Sequence, residues 1–389
     1  MKTTTLLYLS ASTATASALF TPPSSLSRRD NDCDCYLTNG SVPEYYTDHK
    51  FFDFRSLSKH VSIPDVENTI SESAADPIAD NYFKSDDWTE SWRVQHWNNT
   101  KNLQKSLADE NKNNDKIPMT NSFSNVYIQK NEDENAASET FLTMRTKRLE
   151  EFQTAAEFES ADEYHFASVR MLARTIGSPG AITALFTYRD GGSLAKVQEA
   201  DIEILTRGPR DQIVYTNQPS YTDAGDDIPQ ATKNATIPGG REWSEWLVHR
   251  LDWTPKASVW YIDGVEAARI EFQTPRDPSQ VVLNAWSDGG VWSGKMELND
   301  EAFMQIQWID MVFNRTESGS EEKRKRDTLG PNGDLMRRDE DGTCGVVCSI
   351  DEAPEVGQRL EIEQNASSHV GISWLVSSLG LALLVASLF

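Results

Sequence analysis

The sequence predicts an all-β protein, an antiparallel sandwich or barrel filling one domain over residues 31–315. Three observations carry this expectation. Short runs rich in β-branched and aromatic residues recur along that stretch. Clusters of Gly, Pro, Asn and Asp separate them, as in Ser178-Pro179-Gly180 and Tyr188-Arg189-Asp190-Gly191-Gly192. Long apolar stretches of helical period do not alternate with them.

The expected strands, in order, are residues 51–54, 126–129, 141–145, 167–173, 182–188, 199–205, 246–252, 258–262, 267–272, 281–285 and 304–313. The first is mostly Phe; the second joins Val126 and Ile128 to Tyr127. Those at 167–173 and 199–205 alternate apolar with polar residues, the mark of a strand with one covered face. A few helical turns are expected within 63–79 and 101–111. The frequency of Trp, 11 in 389 residues, argues that most of the chain folds around a core.

The ends read as targeting segments. Residues 1–18 join Lys2, a short apolar run and the small-residue stretch Ala14-Thr15-Ala16-Ser17-Ala18, the pattern of a secretory signal peptide. A short propeptide at 19–30 would end near the dibasic pair Arg28-Arg29. Residues 316–365 read as a charged linker, with Lys323-Arg324-Lys325-Arg326 and Arg337-Arg338 as dibasic pairs. Residues 366–389 end in an apolar run of about 30 Å if helical, with no charge after it. Small residues precede that run, so it reads as a GPI-attachment signal, with a true transmembrane anchor as the alternative.

Four cysteines, Cys33 and Cys35 near one end and Cys344 and Cys348 near the other, allow three pairings. A bridge inside Cys-x-Cys is strained, so cross-links between the ends are expected. Glycosylation sequons stand at Asn39, Asn98, Asn234, Asn314 and Asn365. The net charge of −23 excludes a nucleic-acid partner and suits an extracellular protein acting on a neutral polymer. Solubility alone accounts for that charge equally well. No cofactor or metal motif is present.

The richest segment is Glu199-Ala200-Asp201-Ile202-Glu203. On a strand its three acids share one face and repel one another, which a fold carries only where that face is solvated or functional. Two carboxyls flanking a bond are what glycoside hydrolysis requires. Along the strand the two Glu Cα atoms stand roughly 13 Å apart, so the side chains must lean together.

This Glu-x-Asp-x-Glu run resembles the signature of glycoside hydrolase family 16. Downstream, Leu251-Asp252-Trp253-Thr254-Pro255 with Trp260-Tyr261-Ile262-Asp263-Gly264, and then Asn284-Ala285-Trp286 with Gly289-Gly290-Val291-Trp292, resemble further family stretches in the right order. The resemblance implies a concanavalin A-like jelly roll with a concave cleft and a retaining mechanism. It implies Glu199 as nucleophile, Glu203 as acid/base and Asp201 between them. Trp286, Trp292 and Asn284 are the implied sugar-binding positions. Trp246, with Trp243 in the same expected rim loop, is a further candidate, while Trp253 and Trp260 are assigned to the core and His249 to a structural place. The expected function is a monomeric, endo-acting β-1,3- or β-1,3-1,4-glucanase, secreted and lipid-anchored at the cell surface. The alternatives are a wall transglycosylase and a catalytically silent carbohydrate-binding protein.

Overall fold

The structure, a computed structural model, describes residues 33–70, 78–101, 116–316, 344 and 346–362. The expected signal peptide, propeptide, GPI signal, dibasic pairs, Asn365 and most of the linker lie outside these residues.

Twenty strands are described. The first four are β1 (Cys35–Leu37), β2 (Tyr45–Tyr46), β3 (Asp48–Asp53) and β4 (Trp92–Val94). Then come β5 (Met119–Asn121), β6 (Val126–Lys130), β7 (Thr140–Arg148), β8 (Gln153–Ser160), β9 (Tyr164–Gly177) and β10 (Ile182–Arg189). They are followed by β11 (Gln198–Leu205), β12 (Gln212–Gln218), β13 (Thr232–Thr236), β14 (Leu247–Trp253), β15 (Ser258–Ile262) and β16 (Val265–Ile270). The last are β17 (Gln280–Trp286), β18 (Glu301–Arg315), β19 (Val347–Ser349) and β20 (Leu360–Glu361).

Sixteen of them form one sheet, ordered β13-β12-β11-β10-β17-β8-β7-β18-β9-β14-β15-β16 with β3, β4, β5 and β6 pairing alongside. The sheet folds over on itself. One half runs from β13 to β8, the other from β7 to β16, and apolar side chains of both halves meet in one core. Period-2 alternation places them there. In β11, Ala200, Ile202 and Ile204 point inward; in β14, Leu247, Leu251 and Trp253 do. The two ends of the sheet face each other: the Tyr215 ring lies 5.3 Å from that of Trp260, and Asn217 Nδ2 donates to the Phe272 carbonyl at 2.9 Å.

All the expected strands form, with small shifts at the ends: Phe54 and Trp246 fall just outside β3 and β14, and β16 closes at Ile270, leaving Phe272 in the turn beyond. β1, β2, β4, β5, β8, β12, β13, β19 and β20 add to them. Residues 63–70 form no helix and 71–77 lie outside the described residues, with helical turns following at Asn81–Lys84 and Asp86–Thr89; of the turns expected within 101–111, Lys101 is helical and 102–111 lie outside the described residues.

A second sheet, β2-β1-β19-β20, joins the beginning and end of the described chain, with β1 and β19 parallel. Disulfides Cys33–Cys348 and Cys35–Cys344 lock it, so both cross-links run between the ends as expected. Asn39 and Asn234 are exposed, while Asn98 and Asn314 are half-buried, with Asn314 Oδ1 accepting the Thr47 N–H at 3.1 Å. Trp253 and Trp260 are fully buried, as their assignment to the core requires. His249 is also buried, against the backbone of Ala173, and burial pushes its imidazole down to about 4.

Candidate active site

The ladder across the first half of the sheet sets the site. In β11, Glu199 lies opposite Tyr188 of β10 and Gln218 of β12; Asp201 lies opposite Phe186 and Thr216; Glu203 lies opposite Ala184 and Val214. The row through Glu203 continues on both sides. It reads Asn234 (β13), Val214, Glu203, Ala184, Asn284 (β17) and Glu157 (β8). Directly paired residues share a face, so the three acids, Asn284 and Glu157 line one surface. At about 4.8 Å per strand, that row reaches roughly 14 Å from Glu203 to Glu157 and 10 Å to Asn234.

Asp201 is fully buried and hydrogen-bonded to Glu199. Two ionised carboxylates cannot make that contact, because both are acceptors; one must carry a proton. Burial first, then the charges of Glu199 and Glu203, drive the Asp201 carboxyl well above its usual range, so the proton sits on Asp201 and is donated to Glu199. Gln218 Nε2 approaches Asp201 Oδ2 at 3.5 Å. Burial raises Glu199 to about 7, opposed by the Asp201 hydrogen bond and assisted by the charge of Glu203. Burial likewise raises Glu203 to about 7, opposed by the indole of Trp292, whose Nε1 donates to Glu203 Oε1 at 3.0 Å.

The residues around the trio offer rings and hydrogen bonds. Trp292 and Tyr188 are exposed, and Trp286 is half-buried on the face that carries Asn284. Asn284 is hydrogen-bonded to Glu157, and its Oδ1 meets no donor among the described residues. Glu157 also accepts from Trp97 Nε1 at 2.8 Å, and burial raises its carboxyl.

The structure thus brings together Glu199, Asp201, Glu203, Asn284, Trp286 and Trp292. It does not bring Trp246 there. Trp246 precedes Leu247 of β14, which points into the core, so its ring falls on the outer surface of the opposite half. There it lies under Arg174, 4.4 Å from ring centre to guanidinium, and donates to Asp133 Oδ2 at 3.1 Å. Trp243 lies in the loop before β14, but its ring is buried in the core, with Nε1 donating to the Pro209 carbonyl at 3.1 Å. Glu157, Trp97 and Gln218 are cleft residues that the sequence reading passes over. A signal existed for the first: Glu157 and Glu159 flank Phe158 with the same alternation that marks β11.

The family described as "Glycosyl hydrolases family 16" matches residues 113–310. A "Xylanase/beta-glucanase" of Ruminococcus flavefaciens is 25% identical over 171 residues, covering 43% of this chain and 20% of that protein. A "Beta-glucanase" of Paenibacillus macerans is 24% identical over 162 residues, covering 41% of this chain and 65% of that protein. The chain therefore spans about a fifth of the first relative's length and just under two thirds of the second's. Among solved structures, a β-glucanase of Bacillus licheniformis superposes with a TM-score of 0.44 at 18% identity, covering 59% of this chain and 94% of that one. The laminarinase catalytic domain of Thermotoga maritima gives 0.44 at 15% identity, covering 73% and 100%.

Proposed function

The chain belongs to glycosyl hydrolase family 16, and on that premise we propose that it is a retaining endo-β-glucanase cutting β-1,3 or β-1,3-1,4 linkages. One observation carries the reading: the buried, proton-bearing Asp201 stands between two glutamates and donates to only one of them. Glu199, holding that hydrogen bond, is the group kept ready as an anion. Burial raises both carboxyls to about 7, and Glu203, which has no carboxyl donor, is the one left to hold a proton near neutral pH.

The chemistry follows from these states. The Glu199 carboxylate attacks the anomeric carbon as the glycosidic C–O bond breaks, and Glu203 delivers its proton to the departing oxygen. Glu203, now a carboxylate, takes a proton from water, whose oxygen attacks the same carbon and frees Glu199. Asp201 keeps its proton throughout. Trp286, Trp292 and Tyr188 offer ring faces to the C–H faces of sugars, and the unpaired Asn284 Oδ1 suits a sugar hydroxyl.

The same covalent intermediate yields transfer when a sugar hydroxyl replaces water, so the test separates the two. Purified protein is incubated with laminarin, lichenan and chitin oligosaccharides, and products are sized. Shorter products alone support hydrolysis, and longer ones support a wall transglycosylase. Glu199→Gln should lose at least about 10³-fold in turnover. If it matches wild type on every substrate, the enzyme reading is lost in favour of a silent carbohydrate-binding protein. Export to the cell surface and lipid anchoring belong to the same proposal: the two disulfides support an oxidising compartment. Release of the protein from cells by a GPI-specific phospholipase would establish the anchor.

A further inference from the structure

The segment between β17 and β18 is built around two side chains outside the acid trio. Asp288 Oδ1 accepts from the Gly290 N–H at 2.9 Å and the Ser293 hydroxyl at 3.0 Å, while Lys116 Nζ lies 2.8 Å from Oδ2. Burial pushes that carboxyl up, but these donors outweigh it and hold it below the usual carboxylate range. Arg207 holds the other side. Its Nη2 donates to the carbonyls of Val291 at 2.6 Å and Trp292 at 3.0 Å, and its Nε reaches the Trp292 carbonyl at 3.2 Å. The turn closes so tightly that a Cβ on Gly294 would stand 2.6 Å from Arg207 Cδ, and Gly294 has a φ of +80°.

Arg207 follows Glu203 by four residues on the same chain direction. The end of β11 therefore supplies both a reacting carboxyl and the clamp on the loop whose indole touches that carboxyl. An indole N–H donates and cannot accept. The carbonyl oxygen of a protonated carboxyl accepts better than its hydroxyl oxygen, so the indole favours the form in which Oε1, the oxygen facing it, carries no proton.

We propose that Arg207, acting through this loop, positions Trp292 so that the proton of Glu203 is confined to Oε2, the oxygen left to face the glycosidic bond. Arg207 and Trp292 are positioning residues; Glu203 transfers the proton. The proposal rests on Glu203 being the acid/base of the preceding section.

Leaving-group dependence tests it. A sugar leaving group needs the proton; a 2,4-dinitrophenolate does not. For Arg207→Ala, kcat/KM on the polysaccharide should fall about tenfold or more beyond its fall on a dinitrophenyl β-glucan oligosaccharide, which shares any loss of stacking on Trp292 but needs no proton. The alkaline limb of the polysaccharide pH profile should move to higher pH, because the Trp292 hydrogen bond that favours the carboxylate is weakened. Arg207→Lys should recover part of the loss, since an ammonium can serve one carbonyl but cannot fork across two. Equal losses on both substrates, or an unmoved limb, would overturn the proposal. A readout free of activity separates it from the function itself: NMR titration of isotope-labelled glutamate should show the Glu203 carboxyl rising in Arg207→Ala. An unchanged titration overturns the positioning even if the protein hydrolyses glucan. Wild type inert on every glycan, with the titration shifted as expected, overturns only the function.

Discussion

Glu203 costs the fold stability whenever it is charged. Its carboxyl is raised by burial from 4.5 to about 7, so the folded state holds the proton more tightly than the unfolded chain. Stability from that preference is fully present below pH 4.5 and is lost as pH rises through about 7. Glu203→Gln removes the titration and keeps the shape. The variant should melt higher than wild type at pH 8, by on the order of 1–3 kcal/mol, and gain nothing at pH 4. Thermal melts at the two pH values check this, and a gain of equal size at both would mean that packing, not charge, is responsible. The acids were legible from sequence because strict alternation put them on one face and the flanking matches named their chemistry. Which acid holds the resident proton was not legible. That depends on how deeply the sheet as a whole buries Asp201, which outweighs the opposing donor Gln218 on the neighbouring strand.

At the scale of elements, legibility followed side-chain type more than position. β11 declares itself, but β8 is written Gln-Thr-Ala-Ala-Glu-Phe-Glu-Ser, with few β-branched residues, and its strand state comes from pairing with β7, β17 and β4. Trp246 shows a different limit. Alternation alone sets it on the face opposite Leu247, yet nothing local says which face of which half of the sheet carries the cleft. The Gly-Gly-x-Trp loop was legible as a motif, but its anchor was not, because Arg207 lies 85 residues from the carbonyl it holds. The loop makes its own prediction. Gly294→Ala adds a methyl group at positive φ and against Arg207, so it should lower stability by about 1–2 kcal/mol. It should also reproduce the leaving-group split of Arg207→Ala. A stability loss with both substrates equally affected would show that the turn matters only for folding.

At the scale of the described molecule, the outer surface of the sheet half away from the cleft is covered by the chain's own ends. Arg170 of β9 and Arg250 of β14 are paired across the sheet and point outward, opposite to the core residues Met171 and Leu251. Water does not cover them. The chain segment that begins at the two disulfides does, and its Asp351 enters between them, paired with Arg170 and 2.9 Å from Arg250, while also accepting the Asn39 N–H at 2.8 Å. Burial raises the Asp351 carboxyl, but the two guanidiniums outweigh it and hold it below the usual range. Arg250 has a second partner in Asp252, at 2.6 Å; among the described residues Arg170 otherwise reaches the Ser168 hydroxyl, at 3.2 Å. Two cations thus meet two anions, and the balance holds only while the segment is seated. Asp351→Asn leaves one buried positive charge uncompensated and should destabilise the protein by about 3–5 kcal/mol. Because the Asp351 carboxyl is depressed in the folded state, that difference should be full at neutral pH and fade as acid protonates the wild-type group below 3.8. Denaturant melts across that range measure it. The cleft lies on the other surface, so kcat/KM on glucan at a temperature where both proteins are folded should not change. A loss of activity without a loss of stability would mean that the two faces communicate through the core, and the seated segment would then be a control element as well as a staple.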